Sequence, residues 1–260
     1  MSGLIINQGE TLYIRGNNPS GFNSSPEAYY TFVIEGDKVS CSGNIMSLID
    51  YENLPDIIPC DICFYGLFEN CSLLTTAPEL PATTLAEWCY SSMFNGCTSL
   101  KIAPELPATE LTNSCYSYMF NGCTSLVNAP ELPAKTLADW CYDGMFSGCT
   151  ALTTAPELPA MTLADNCYYL MFSGCTSLVN APELPATMLA RWCYSRMFFD
   201  CTSLKTAPKL PAKTLKEWCY SRMFSGCSSL TTAPELPTMA LAEWYYFRMF
   251  DGCILLKDKK

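Results

Sequence analysis

Cysteine is the residue with the most chemistry on offer here. The chain has seventeen of them and no histidine. Without histidine the usual Cys-His and Ser-His nucleophile pairs cannot form. Cys60 and Cys63 make one C-x-x-C. A zinc site of that kind needs a second pair or histidines, and neither is supplied. The remaining cysteines follow a rule of their own. Cys71 recurs every 26 residues as Cys97, Cys123, Cys149, Cys175, Cys201, Cys227 and Cys253. If this column is position 0 of a repeating unit, a second column stands at position 18: Cys63, Cys89, Cys115, Cys141, Cys167, Cys193 and Cys219. Tyr245 takes the next place in the second column, so the column is not half of a required crosslink. The odd total points the same way. Both columns read as buried thiols packed as small hydrophobes.

Two polar or amphipathic columns are candidates for partner binding. Position 8 carries Glu79, Glu105, Glu131, Glu157, Glu183 and Glu235, with Lys209 interrupting. Stacked like charges repel. The column is either a solvated ladder relieved by nearby lysines or a surface that meets a cation or a basic partner. Calcium fits poorly, because its oxygens usually converge from one loop. Position 17 carries Trp88, Trp140, Trp192, Trp218 and Trp244, with Ser114 and Asn166 in the gaps. Each indole either lies half buried over the next unit or joins an exposed row suited to protein or glycan contact. Positions 20 and 21 vary most between copies, as in Ser91-Ser92, Asp143-Gly144, Tyr169-Leu170 and Phe247-Arg248, and read as exposed surface. No catalytic residue, cofactor site or metal site is assigned. The chain has no glycine-rich phosphate loop of the common kinds.

The elements that must position these columns follow from the period. A fixed period of 20–50 residues signals a solenoid whose units contact mainly their neighbours. One copy offers about six core side chains, too few to offset the entropy of ordering it, so stacking is obligatory. Positions 14 to 24, Leu85 to Asn95 in the first copy, read as a short helix with Leu85, Cys89 and Met93 on one face. Tyr90 and Phe94 form a second row, and the glycine at position 25, Gly96, ends the helix. Thr84 and Thr136, at position 13, suit an N-cap. Positions 6 to 10, A-P-E-L-P, are extended, and their prolines limit any ladder to a thin parallel sheet. The expected fold is an α/β solenoid. Strands spaced about 4.8 Å apart on one side and helices needing about 10 Å on the other bend it into an arc.

Residues 1–55 do not repeat and read as β-rich. Short strands are expected at Thr11–Arg15 and Asn44–Asp50, with a loop over 20–28 and a hairpin of Tyr29–Ile34 with Lys38–Ser42 around Glu35-Gly36-Asp37. This segment is either the N-terminal cap of the stack or the end of a preceding β-domain. Residues 56–260 are the array, opening with a degenerate half-unit at 56–70.

Net charge is −10. That argues against binding nucleic acid through phosphates, which needs clustered Lys and Arg, and against docking on anionic lipid. No stretch has the roughly 18 apolar residues of a membrane span. The first residues show no basic n-region and no apolar h-region, so no signal peptide is expected.

The unit C-T-S-L-x-x-A-P-E-L-P-A-x-x-L-x-x-x-C-Y-x-x-M-F-x-G-C resembles the treponemal-type, or BspA-like, leucine-rich repeat. Cys97, Leu100, Leu106, Pro107, Met119, Phe120 and Cys123 occupy the marked places of that family's pattern. The match runs over about residues 60 to 256. Ala-Pro in place of two alternating aliphatics, and the Cys-Tyr pair at positions 18 and 19, mark a 26-residue subfamily. The resemblance implies a leucine-rich-repeat arc with short parallel strands on one side and short helices on the other. It implies a non-enzymatic recognition or adhesion protein, extracellular, on a cell surface or on a virion. Its partners would be a host or bacterial surface protein or glycan, with no nucleic acid and no membrane insertion. The alternative role is a spacer array that holds another domain away from a surface.

Overall fold

A computed structural model describes residues 5–21, 23, 25–236 and 243–257. The first four residues of the N-terminal stretch, two residues of the 20–28 loop, positions 237–242 of the last copy and the final three residues lie outside that description.

The 26-residue units stack as successive turns around one continuous core that runs from Ile45 to Leu256. Each turn sends in the leucines of positions 3, 9 and 14, the alanine of position 11, both cysteines and the Tyr, Met and Phe of positions 19, 22 and 23. Tyr90, Tyr116, Tyr142, Tyr168, Tyr194 and Tyr220 are among the largest fully buried side chains. Tyrosine rings of successive turns lie 5.5–5.9 Å apart and almost parallel. The phenylalanines repeat the pattern at 5.5–5.9 Å. Stacked rings of this kind add about 0.5–1.5 kcal/mol per pair to the burial of their area.

Positions 14 to 24 are not helical, and no α-helix occurs among the described residues. The segment is a run of overlapping turns. In the first copy the N–H groups of Cys89, Ser91, Met93, Asn95 and Cys97 donate to the carbonyls of Ala86, Trp88, Tyr90, Ser92 and Phe94, each three residues back. The N–H groups between them point at the next turn. Trp88, Tyr90, Ser92, Phe94 and Gly96 donate to the carbonyls of Asn113, Cys115, Ser117, Met119 and Asn121 at 2.8–3.1 Å. Half of the donors therefore close the turn and half hold the stack, and the carbonyls divide in the same way. The scheme needs left-handed backbone at every fourth residue, found at Trp88, Ser92 and Gly96 with φ of 59°, 54° and 75°. A positive φ at the second central residue is the requirement of a type II turn. The apolar rows that suggested a helix recur every four residues, which is also the period of this turn run. With no helix to cap, Thr84 and Thr136 instead sit in parallel bridges, Ile57 with Thr84 and Glu110 with Thr136.

The opposite side is thinner in regular structure than a sheet. Single parallel bridges link position 5 of successive turns, as in Thr76 to Ile102 to Asn128 to Thr154, and others link position 13. Between successive copies they flank the A-P-E-L-P segment; in the first copy Glu79, inside it, is bridged to Asn44 of the N-terminal segment. The expected arc rested on helices about 10 Å thick. Turns that rise by about the ring spacing differ from a 4.8 Å bridge by only about 1 Å, so the mismatch that would force strong curvature is gone.

The N-terminal expectations also change. Strand β1, Val39–Ser40, pairs in parallel with β2, Leu74–Thr76, with an irregular register. The Tyr29–Ile34 partner of the expected hairpin instead meets the array: Phe32 donates to the Leu67 carbonyl at 2.8 Å and stacks on Phe68 at 5.1 Å. Ile45–Leu48 is a 3-10 helix capped by Asn44, whose side chain accepts the Met46 N–H. Thr11–Arg15 forms no strand. Both sides of Glu35-Gly36-Asp37 are used by the first turn of the array, which leaves nothing for them to pair with each other.

Among the described residues two tyrosine hydroxyls, of Tyr90 and Tyr246, are buried without a hydrogen-bond partner, and Tyr90 is the one fully inside the core. Phe64 fills the place of Tyr90 one turn earlier and stacks on it at 5.6 Å. An unsatisfied buried hydroxyl costs about 1–3 kcal/mol. Tyr90→Phe is expected to stabilise the chain by about 1 kcal/mol. Urea unfolding checks this: the midpoint should rise at constant slope, and a lower midpoint contradicts it.

Candidate functional site

The cysteine columns come first, because they carry the most reactive groups. All seventeen cysteines are thiols, and only Cys41 and Cys60 have intermediate exposure. Each position-0 sulfur from Cys97 to Cys253 donates to a main-chain carbonyl one turn away at 3.0–3.1 Å, and Cys71 donates to the Phe32 carbonyl of the N-terminal segment at 3.1 Å. Cys97 reaches Phe68, Cys123 reaches Phe94, and the others follow suit. Burial pushes these thiols up, Cys71 to about 11 and Cys149 and Cys201 to about 12. In the position-18 column burial likewise raises Cys115 and Cys219 to about 12. A thiol held protonated is a poor nucleophile and a poor ligand. These columns are packing and stitching, and the C-x-x-C divides between a core residue, Cys63, and the partly exposed Cys60.

The glutamates of position 8, with Lys209, are all exposed. No ion pair among the described residues involves them. No hydrogen bond, ion pair or ring contact among those residues joins them to the tryptophans.

The tryptophans are brought together, with help from residues outside their column. Trp192 stacks on Trp218 at 5.1 Å and 10°. Where Asn166 leaves a gap, Tyr169 of position 20 bridges it, edge-on to Trp140 at 6.2 Å and to Trp192 at 6.4 Å. Phe247, also of position 20, meets Trp218 edge-on at 5.6 Å. Five successive turns thus contribute one ring each to a continuous ridge. Trp140 is 41% exposed and Phe247 39%, while Tyr169, Trp192 and Trp218 between them are half-buried, so the ridge meets solvent at its ends and along one edge of its middle. The guanidinium groups of Arg222 and Arg248 lie over the Phe247 ring at 5.8 and 5.3 Å, within cation–π range. Trp88 and Trp244 are exposed as well, at 41% and 48%, but no ring contact among the described residues ties them to the ridge.

Position 20 is not uniformly surface. Ser91, Ser117, Asp143, Ser195 and Ser221 are buried there. Ser91 and Ser195 use their hydroxyls to bond the carbonyl of the same position in the next turn, at 3.1 Å. A small hydroxyl fits the gap between the two flanking left-handed residues, whereas the large Tyr169 and Phe247 are pushed outward. That signal, small against aromatic at one position, was present in the sequence. So was position 16, where carboxylates climb the stack. Asp61 accepts the Glu87 N–H, Asp139 that of Asp165, and Asp165 that of Arg191, at 2.8–3.0 Å. Arg191 pairs with Glu217 at 3.6 Å.

No protein-family model matches the chain, and no curated protein does. Two solved structures are similar. One is a leucine-rich repeat protein of T. pallidum, at 20% identity over 86% of this chain and 80% of its own, with a TM-score of 0.39. The other is a leucine-rich repeat protein of Bacteroides ovatus, at 18% identity over 78% of this chain and 68% of its own, with a TM-score of 0.33. The class, a solenoid repeat protein, follows from this chain's own stacked turns, shared core and bonds between turns.

Two outcomes are expected. Native protein should react quickly with a thiol reagent at no more than Cys41 and Cys60, and unfolded, unreduced protein at all seventeen sites. Peptide mapping reads both, and a denatured count well below seventeen would mean disulfides. The second concerns Asp143. Burial raises its carboxyl to about 7. Its polar neighbours, the Tyr118 phenol and the Ser117 hydroxyl (the latter at 3.5 Å), hold it down only in part, and one carboxyl oxygen has no hydrogen-bond partner among the described residues. The folded state therefore holds a proton that the unfolded chain has lost, and this group's contribution to stability falls as pH rises from about 4 through 7. Asp143→Ser restores the column's usual residue. It should stabilise by about 2 kcal/mol at pH 8 and by far less near pH 4. Denaturation curves that shift equally at both pH values would contradict it.

Proposed function

We propose that this chain is a treponemal-type leucine-rich repeat array that works as a non-enzymatic recognition module. It binds a surface protein or glycan at a bacterial or phage surface, with residues 1–55 as the cap of the stack. The observation that carries the reading is the exposed aromatic ridge on a backbone whose donors and acceptors are already spent on the stack. A frame of this kind is rigid and extended, and it offers side chains at a fixed repeat. The thiols of its two cysteine columns are buried, and burial keeps them protonated. Binding energy in interfaces concentrates in Trp, Tyr and Arg, and those residues line the ridge. A pure spacer would gain nothing from exposed tryptophans on strained backbone.

A combined glycan and protein array probed with the whole chain tests the proposal. Retention of a defined glycan or protein is expected. A blank array, with the fold checked by its melting transition, would leave the spacer role.

A further inference from the structure

We propose that the ridge is the binding surface and that its occupant is an anionic polysaccharide laid along the stack. The inference deepens the recognition reading and rests on it. Three observations combine.

The first is strain. Trp140, Trp192 and Trp218 have φ of 57–61°, and Arg196, Arg222 and Arg248 have φ of 53–54°. Left-handed backbone costs a side chain of this size about 1–2 kcal/mol, and glycine would avoid it, as Gly144 does at position 21. Observed strain points to function when something else must offset it. The three tryptophans belong to the ridge, and Arg222 and Arg248 lie over its Phe247 ring.

The second is charge. Of the fifteen Lys and Arg residues eleven lie from Arg191 onward, against six of the twenty-five Asp and Glu. The acidic net charge of the chain therefore belongs to its first part, and the ridge lies largely in a basic part. Arg196, Arg222 and Arg248 stand at the same position of three consecutive turns. Arg248 pairs with Asp251 at 3.6 Å with both side chains more than half exposed, a contact weak enough to give way. Guanidinium forks match carboxylate or sulfate oxygens in pairs.

The third is spacing. Stacked core rings of successive turns lie 5.5–5.9 Å apart, and neighbouring rings of the ridge 5.1–6.4 Å. A polysaccharide with one anionic group per sugar presents a charge, and a flat C–H face for stacking on an aromatic ring, at every sugar. An extended acidic peptide repeats a face only every 6.6–6.8 Å, about two residues of strand rise, and slips out of step by about 1 Å per turn.

The test uses the full chain and a panel of polygalacturonate, alginate and chondroitin sulfate. Methyl-esterified polygalacturonate keeps the backbone without the charge, and poly-glutamate is the peptide control. Binding to at least one anionic glycan is expected, falling about tenfold on esterification, about 1.4 kcal/mol, and weakening in high salt. The double variant Arg222→Ala, Arg248→Ala and the variant Trp218→Ala should each lose about tenfold or more while keeping a cooperative melting transition, and Glu79→Ala should not lose binding. If Trp218→Ala fails to fold, Arg248→Glu at a largely exposed site decides. The inference is overturned if no anionic glycan is retained, if the esterified polymer or poly-glutamate binds as tightly, or if folded ridge variants bind like wild type. A neutral glycan or a protein captured on the array and indifferent to the ridge variants would leave the recognition reading standing and remove this one.

Discussion

The structure depends on how one segment divides its backbone hydrogen bonds. Between positions 15 and 26 of each unit, alternate N–H groups close a turn on their own chain and cross to the next turn. An α-helix would have kept every bond to itself. Here each turn is complete only when the next one is present, because a buried N–H left unpaired costs free energy comparable to a lost hydrogen bond. The thiol column adds a second stitch, from each position-0 sulfur from Cys97 onward to a carbonyl one turn away. Interdependence of neighbours is what makes a quasi-one-dimensional array behave as one folded body.

The same division sets the dimensions. Turns linked by direct backbone bonds rise by little more than strands do, so aromatic side chains at one position come into stacking register. That is why Tyr and Phe form columns through the core, and why a ring exposed at the surface has a neighbour only one turn away. Substitution at a single position is then felt along the column. Serine at position 20 reaches the next carbonyl; Asp143 at the same place strands a carboxyl oxygen in the core.

Much of this was legible before any coordinates. The period gives the stack, and Leu80, Leu85, Cys89, Met93 and Phe94 are all buried. The helix was misread for a definite reason. Rows at positions 14, 18 and 22, and at 19 and 23, are spaced only by fours, whereas a helical stripe mixes threes and fours. Over ten residues the two periods diverge too little for a buried face to tell them apart. The glycines of position 25 carried the missing information, but a helix end also explains a glycine. The N-terminal hairpin failed because Val39–Ser40 and Phe32 find partners in the array, and a local turn signal says nothing about such competition. The ridge was half legible: the tryptophan column was visible, but the bridging by Tyr169 and Phe247 depends on two positions alternating across the stack, which no single column displays.

The left-handed positions separate frame from surface. Position 25 is glycine in six of its eight occurrences, and Asn70 and Asp200, residue types that tolerate this region, fill the others. Here the backbone requirement is met at least cost, because glycines of successive turns approach closely: a β-carbon on Gly252 would lie 3.3 Å from Gly226. Positions 17 and 21 face the same requirement with Ser, Asn or Gly in some copies and with Trp, Tyr, Leu or Arg in others. Nothing in the hydrogen-bond scheme asks for those larger side chains. Their strain lowers stability in each copy that carries them, and it is offset in the isolated chain only by ring stacking and cation–π contacts of about a kcal/mol each. A ligand that stacks on the indoles and pairs with the guanidinium groups would supply an offset that the isolated fold lacks. On this account the surface was shaped by what it meets, and the core by what it must repeat.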